Sequence, residues 1–391
     1  MRLKSKFTYW ASSICLFLFG CESSPTPKTP EELYDDYASG VVLILCEYYY
    51  SLTLPTGITL YTTGISESGE PENITMSEAV IKQNSNKQTG TGFFIDSKGN
   101  IMTNRHVVDV SLDDADVRER IVKSMQEERQ TYIDSMEMAR QAYANLQEQE
   151  KQCYSYDYFG NAYADNEKLR QIREAMAYVE EKYDSWVQIC DFFSANSNPN
   201  AIKIKVYSKI GIAYNNTLVT TLDDFLERTP CSIHKISRQK NVDLAIIQLR
   251  SKSTPESVHV FDVTGIAHDK NDSNSFGRLI EEFLFGEDAV KEKDNEDLKI
   301  GQQLYMIGYN HGIQLAQTRT GIKAQMTSGK ITQLPDDERL LYSIPTMQGS
   351  SGSPVIDEKG VLRGVNFAKA TLNDDFNFGI PMNLITNFLK E

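Results

Sequence analysis

Thr89-Gly90-Thr91-Gly92-Phe93-Phe94-Ile95, then Ser97-Lys98-Gly99-Asn100, then Ile101-Met102-Thr103-Asn104-Arg105-His106-Val107-Val108 is the stretch on which the fold turns. Two apolar runs of strand length flank four turn-forming residues, the pattern of a β-hairpin. A histidine follows directly on the second run. By itself a histidine beside a strand is usually structural, so its meaning depends on what else the chain supplies. One candidate is Asn241-Val242-Asp243-Leu244-Ala245-Ile246-Ile247, where an acid opens an otherwise apolar strand. A half-buried carboxylate there needs a charged or hydrogen-bonding partner. The other is Gln348-Gly349-Ser350-Ser351-Gly352-Ser353-Pro354-Val355, with glycines around a serine pair ahead of an apolar strand. Those glycines permit a tight loop whose backbone N–H groups converge.

The chain around these segments has 391 residues, 40% apolar and 24% charged, ordinary values for a globular protein. Its net charge of −14 argues against nucleic acid as a partner, because the phosphate backbone would repel it. No apolar stretch reaches the roughly 18 residues of a membrane span. Neither CxxC nor HExxH occurs and the five histidines are scattered, so neither a metal nor a cofactor is expected.

Strand patterns fill residues 40–110, including Gly40-Val41-Val42-Leu43-Ile44-Leu45. Residues 113–195 change character: they contain no proline and one glycine, Gly160. Leu169, Met176, Tyr183 and Cys190 fall seven apart, as do Ile172, Val179, Trp186 and Phe193 in the alternate slot. Met125, Tyr132, Ala139, Leu146 and Cys153 repeat likewise in the first half, with Val122, Met136 and Tyr143 in the other slot. Heptads of this kind predict an antiparallel helical hairpin turning near Gly160, a coiled-coil arm with 18 acids against 10 bases. In that register Cys153 faces roughly Glu167 and Cys190 roughly Gln130, about 35 Å apart at ~1.5 Å per residue, so they are not expected to bridge. Cys46 and Cys231 are left open between bridged and free. Strand patterns return at Ile202–Val206 and at Val242–Leu249. Residues 261–297 form an acidic connection with a short amphipathic piece around Leu279–Phe285. From Leu298 onward, short strands and glycine turns alternate as in an all-β barrel.

At the N-terminus, Arg2, Lys4 and Lys6 precede the apolar run Ile14–Phe19, the outline of a secretory signal. Leu18-Phe19-Gly20-Cys21 resembles a bacterial lipobox. The resemblance implies cleavage before Cys21, acylation of that residue, and a chain lipid-anchored in the cell envelope, periplasmic or outer-membrane associated. The Pro- and Ser-rich residues that follow read as an extended tether over 21–38.

Together the segments around His106, Asp243 and Ser351 resemble the chymotrypsin-fold (trypsin-like) serine peptidases, and within them the bacterial high-temperature-requirement branch. That branch carries a Thr-Asn-x-His-Val-Val run, an Asp-Leu-Ala segment and a Gly-x-Ser-Gly-x-Pro loop, in this order. Leu298-Lys299-Ile300-Gly301, Met306-Ile307-Gly308, Ser328-Gly329-Lys330-Ile331 and Phe378-Gly379-Ile380-Pro381 are similar to strands of its second barrel. Ser353 departs from the family's second glycine, and the peptide-binding domain that often follows is not expected here.

The resemblance implies a mainly β fold of two six-stranded antiparallel barrels. The first would use 39–112 and 197–260, with the helical hairpin of 113–196 inserted in it; the second would use 298–391. It implies Ser351 as nucleophile, His106 as general base and Asp243 as its orienting acid. The 349–351 loop (Gly349, Ser350, Ser351) would form the oxyanion hole, with the N–H groups of Gly349 and Ser351 as donors. Pro345, Val365, Asn366, Phe367 and Phe378 would line the substrate pocket. Pro345 stands six positions before Ser351, where trypsin-like pockets place an acid, so apolar side chains of polypeptide substrates are expected. Ser350 and Ser353 fail as nucleophiles because the glycine ahead of Ser-Pro follows Ser351. An α/β-hydrolase is disfavoured, since there the histidine follows the serine and here every histidine precedes Ser351. A catalytically decayed scaffold of the same fold is the alternative function. For the hairpin, a docking or assembly arm stands against a solvated spacer.

Overall fold

The computed structural model describes residues 26–112, 115–263, 298–336, 338–367 and 377–391. The signal, Cys21 and the amphipathic piece at 279–285 lie outside the described residues. The chain divides into two compact units: Met1–Cys46, Gln88–Asp109 and Ile210–Glu391 form one, Glu47–Lys87 and Val110–Lys209 the other.

The strands form two antiparallel β-barrels, of which the C-terminal one lies wholly within the first unit. In the N-terminal barrel the strand order is Val41–Thr53, Asn86–Phe94, Asn100–Thr103, Ala245–Leu249, Pro230–Ile236 and Lys203–Tyr214, and the last pairs back onto the first. The unit boundary falls inside three of these strands. The predicted hairpin forms, with Phe93 opposite Met102 and Phe94 opposite Ile101. Asp96 shapes its turn by accepting the N–H groups of Lys98 and Asn100 at 2.8 and 3.2 Å. The C-terminal barrel closes in the order Gln303–Gly308, Gln325–Gln333, Leu340–Tyr342, Asn377–Pro381, Leu362–Phe367, Pro354–Asp357. The mainly β, two-barrel expectation is met.

Two helices that flank the barrels in sequence add to this unit's core, as do Phe225 and Leu226 of the helix Leu222–Arg228. Pro30–Tyr37 is helical, although the Pro- and Ser-rich composition before it reads as tether as far as residue 38. The reason is local. Thr29 accepts the Glu32 N–H while the Glu32 carboxylate accepts the Thr29 N–H at 2.8 Å, a reciprocal cap, and Pro30 takes the first turn, where no N–H is missed. Leu33 and Tyr37 then bury against Val41, Phe93 and Phe261. At the other end Met382–Lys390 is helical and buries Ile385 and Phe388.

The second unit contains the arm. Its helices are Ala115–Lys151 and Asn166–Ala195. The heptad positions Ala139, Leu169, Ile172 and Cys190 are buried in the seam. Cross-arm contacts set the register: Arg173 to Glu150 at 2.7 Å, Tyr143 to Glu180 at 2.7 Å, Arg140 to Tyr183 at 2.6 Å. Cys190 lies against the Arg129 carbonyl and Cys153 against that of Gln149. At the base Val117, Ile121 and Val122 pack with Leu52, Ile202 and Ile204. Of the barrel ranges drawn from sequence, 39–112 and 197–260, residues 47–87, 110–112 and 197–209 fall in the arm's unit. The tip is a two-stranded ribbon, Tyr154–Tyr156 against Ala162–Ala164, rather than a bare turn. Alternating tyrosines favour strand, and Asp157 ties the loop by accepting the Phe159 and Asn161 N–H groups at 2.9 and 2.8 Å.

Candidate active site

Sheet register brings the histidine and the aspartate together. Asn100–Thr103 pairs antiparallel with Ala245–Leu249, and Thr103 faces Ala245. The residues just after Thr103 and just before Ala245 therefore leave the sheet at the same edge. Arg105–Val108 makes one helical turn there, anchored by the buried side chains of Val107 and Val108. The Asp243 carbonyl accepts the Asn104 Nδ2 at 2.9 Å and the Arg105 N–H at 3.2 Å.

Asp243 grips His106 twice. Its Oδ1 accepts the backbone N–H of His106 at 2.9 Å, and its Oδ2 lies 2.5 Å from His106 Nδ1. Against an ionised carboxylate, which only accepts, a neutral imidazole places its proton on Nδ1 and leaves the Nε2 lone pair free. The imidazole side chain is 47% exposed and the carboxylate 13%, which leaves the ring open while the carboxylate is shielded. Gln88 steadies the turn from behind, donating to the carbonyls of His106 and Val107 at 2.9 Å each.

Ser351 sits on a loop pinned to the same strands. Its carbonyl accepts the Thr91 N–H at 2.8 Å, and Thr91 Oγ1 donates to the Gly349 carbonyl at 2.8 Å. Thr103 Oγ1 donates to the Thr91 carbonyl at 2.7 Å, linking the loop's support to the strand that leads into His106. Gly349 and Gly352 have φ of +94° and +87°, the left-handed region that glycine adopts without strain. At Gly352 a side chain would also collide: a Cβ would lie 2.2 Å from the Thr91 carbonyl and 3.1 Å from the Asn104 N. The Ser350 N–H closes a turn onto the Met347 carbonyl at 2.9 Å, so of the three loop residues Ser350 is not an oxyanion donor.

The pocket residues divide. Phe367 and Phe378 face each other across paired strands with ring centroids 5.3 Å apart, and Phe367 stands edge-on to His106 at 5.8 Å. Pro345 is exposed, and Asn377 holds its neighbours by donating to the Ile344 carbonyl at 2.9 Å and accepting from Thr346 at 2.6 Å. Val365 and Asn366 differ from the sequence expectation. Val365 belongs to the core, and the fully buried Asn366 spends its amide on Ser350 and Tyr342. Strand alternation alone does not tell a wall residue from its inward neighbour when both faces of a strand are buried. The motifs include Thr91 and Asn104 without assigning them partners, and Tyr342 stands outside them; the available signal was polar side chains among apolar neighbours, which require partners. Among the described residues no group of three or more His, Cys, Asp and Glu could hold a metal ion.

Residues 215–365 match the family model of the trypsin-like peptidase domain. That stretch includes Asp243 and Ser351, while His106 precedes it. A comparison with curated protein sequences finds no match. Among solved structures the chain is similar to the serine endoprotease from Yersinia pestis, at 13% identity and a TM-score of 0.39, over 93% of this chain and 66% of that one.

Proposed function

We propose that this chain, whose residues 215–365 match the trypsin-like peptidase domain, is a serine endopeptidase working through an acyl-enzyme. Ser351 attacks the scissile carbonyl, His106 Nε2 takes its proton and returns it to the leaving amine, and Asp243 holds the imidazole and stabilises the imidazolium. The N–H groups of Gly349 and Ser351 receive the negative charge that develops on the carbonyl oxygen. The observation that carries this reading is the double hold of Asp243 on the backbone N–H and Nδ1 of His106. It fixes the tautomer that a general base requires.

Apolar side chains before the scissile bond suit a site flanked by Phe367, Phe378 and Pro345, because an unpaired cation would be costly to bury there. Digestion of a peptide library, with Ser351→Ala as the blank, tests both parts. Cleavage after apolar residues is expected. A profile dominated by Arg or Lys sinks the specificity, and silence from the unaltered chain favours the decayed-scaffold reading. We further propose that Cys21 carries a lipid that tethers the chain in the cell envelope. A Cys21→Ser variant should leave the membrane fraction, and its retention there would place the anchor elsewhere. The arm, with Tyr158 97% exposed at its tip, is proposed as the element that contacts other proteins.

A further inference from the structure

We propose that Asn366 and Ser353, with Tyr342 behind them, are positioning residues that fix the Ser350–Ser351 peptide and so aim the Ser351 N–H at the oxyanion; this rests on the peptidase reading above. The Ser350 carbonyl accepts three donors: Ser353 Oγ at 2.7 Å, Asn366 Nδ2 at 2.9 Å and the Ser353 N–H at 3.1 Å. The peptide is trans and planar, so its N–H points opposite to its carbonyl. Whatever holds the Ser350 oxygen on one side therefore directs the Ser351 N–H to the other. Turning this peptide would strip three hydrogen bonds inside a buried site, where Ser350, Ser353 and Asn366 are all fully buried.

The orientation of the Asn366 amide is itself determined. A backbone carbonyl can only accept, so Nδ2 must face Ser350, and Oδ1 then receives the Tyr342 hydroxyl at 2.7 Å. Asn366 Nδ2 also reaches Ser350 Oγ at 3.2 Å, and that hydroxyl donates to the Met347 carbonyl at 2.7 Å. The backbone of Asn366 is tied in as well, giving its N–H to Ser353 and accepting that of Gly352, at 2.8 and 3.0 Å. Ser353 thus has a task a glycine cannot perform. Gly308 leaves room for it: a Cβ at 308 would lie 2.0 Å from Ser353 Oγ.

Ser353→Ala, Asn366→Ala and the double variant are compared with the unaltered enzyme on a peptide substrate and on a peptide aldehyde. The aldehyde forms a tetrahedral adduct with Ser351 whose oxygen occupies the oxyanion position. Each single change should lower kcat about 10-fold, and the pair about 100-fold, the lower end of the range lost when an oxyanion donor is removed outright, with KM nearly unchanged. Aldehyde affinity should fall by the same factor as kcat/KM, a readout that a merely structural role would not move. Should Asn366→Ala fail to fold, Ser353→Ala, which deletes a single hydroxyl, still decides. An active, fluorophosphonate-labelled parent with unchanged kcat and aldehyde affinity in Ser353→Ala overturns this inference alone. A parent that is neither labelled nor active overturns the peptidase reading and this inference with it.

Discussion

Asp243 does two things that a neutral isostere cannot do together: it accepts the backbone N–H of His106 and it accepts a proton-bearing Nδ1. An asparagine can keep the first contact, but its NH2 facing the ring would select the tautomer with the proton on Nε2. In the proposed mechanism the nitrogen that receives the Ser351 proton is then blocked. Asp243→Asn should therefore lower kcat by roughly 10⁴, the cost of that tautomer in Ser-His-Asp peptidases. Steady-state kinetics on a peptide substrate checks it, and a loss under tenfold would remove Asp243 from the role. The three residues of the proposed triad were readable in sequence because each stands in a short segment of distinctive type. The hydrogen bonds around them were not. Asn104, Thr91 and Asn366 act through partners 12 to 258 positions away, and a strand pattern gives burial without giving partners.

At the scale of elements, the barrel strands and the arm follow from period and punctuation, and the register of the arm from the position of Gly160. The helix Pro30–Tyr37 had an equally local signal, Thr29 and Glu32 three apart with a proline between them, which the surrounding Pro- and Ser-rich composition masked. Its contribution is measurable. Leu33 is fully buried among core residues, so Leu33→Ala should cost about 2–5 kcal/mol of unfolding free energy in a denaturant titration. A loss well below that range would make the helix a detachable tether after all. The arm makes the opposite case. Its base, at Val117, Ile121 and Val122, packs with Leu52, Ile202 and Ile204, whereas its outer length is held by its own seam. Replacing residues 130–189 with a short Gly-Ser linker should leave the site intact and change partner capture or access of large substrates. Loss of catalytic activity on a small peptide would show that the arm belongs to the catalytic fold.

For the whole molecule, all three residues of the proposed triad come from the chain segments of one compact unit, 88–109 and 210–391. Those segments are separated in sequence by the arm, so the insertion lies between His106 and Asp243 without supplying a triad residue. The fold class was legible at this scale because three motifs occur in one order. The division into two units was not, because it depends on where residues 47–87 pack, and hydrophobic pattern gives a strand's faces but not its partner. The claim that most needs testing is that Ser351 is an activated nucleophile. The full chain is treated with a fluorophosphonate probe, digested, and the labelled peptide sequenced. The account predicts one modified residue, Ser351, with labelling abolished in Ser351→Ala and strongly slowed in Asp243→Asn. An unlabelled chain, or a label on Ser350 or Ser353 instead, would contradict it.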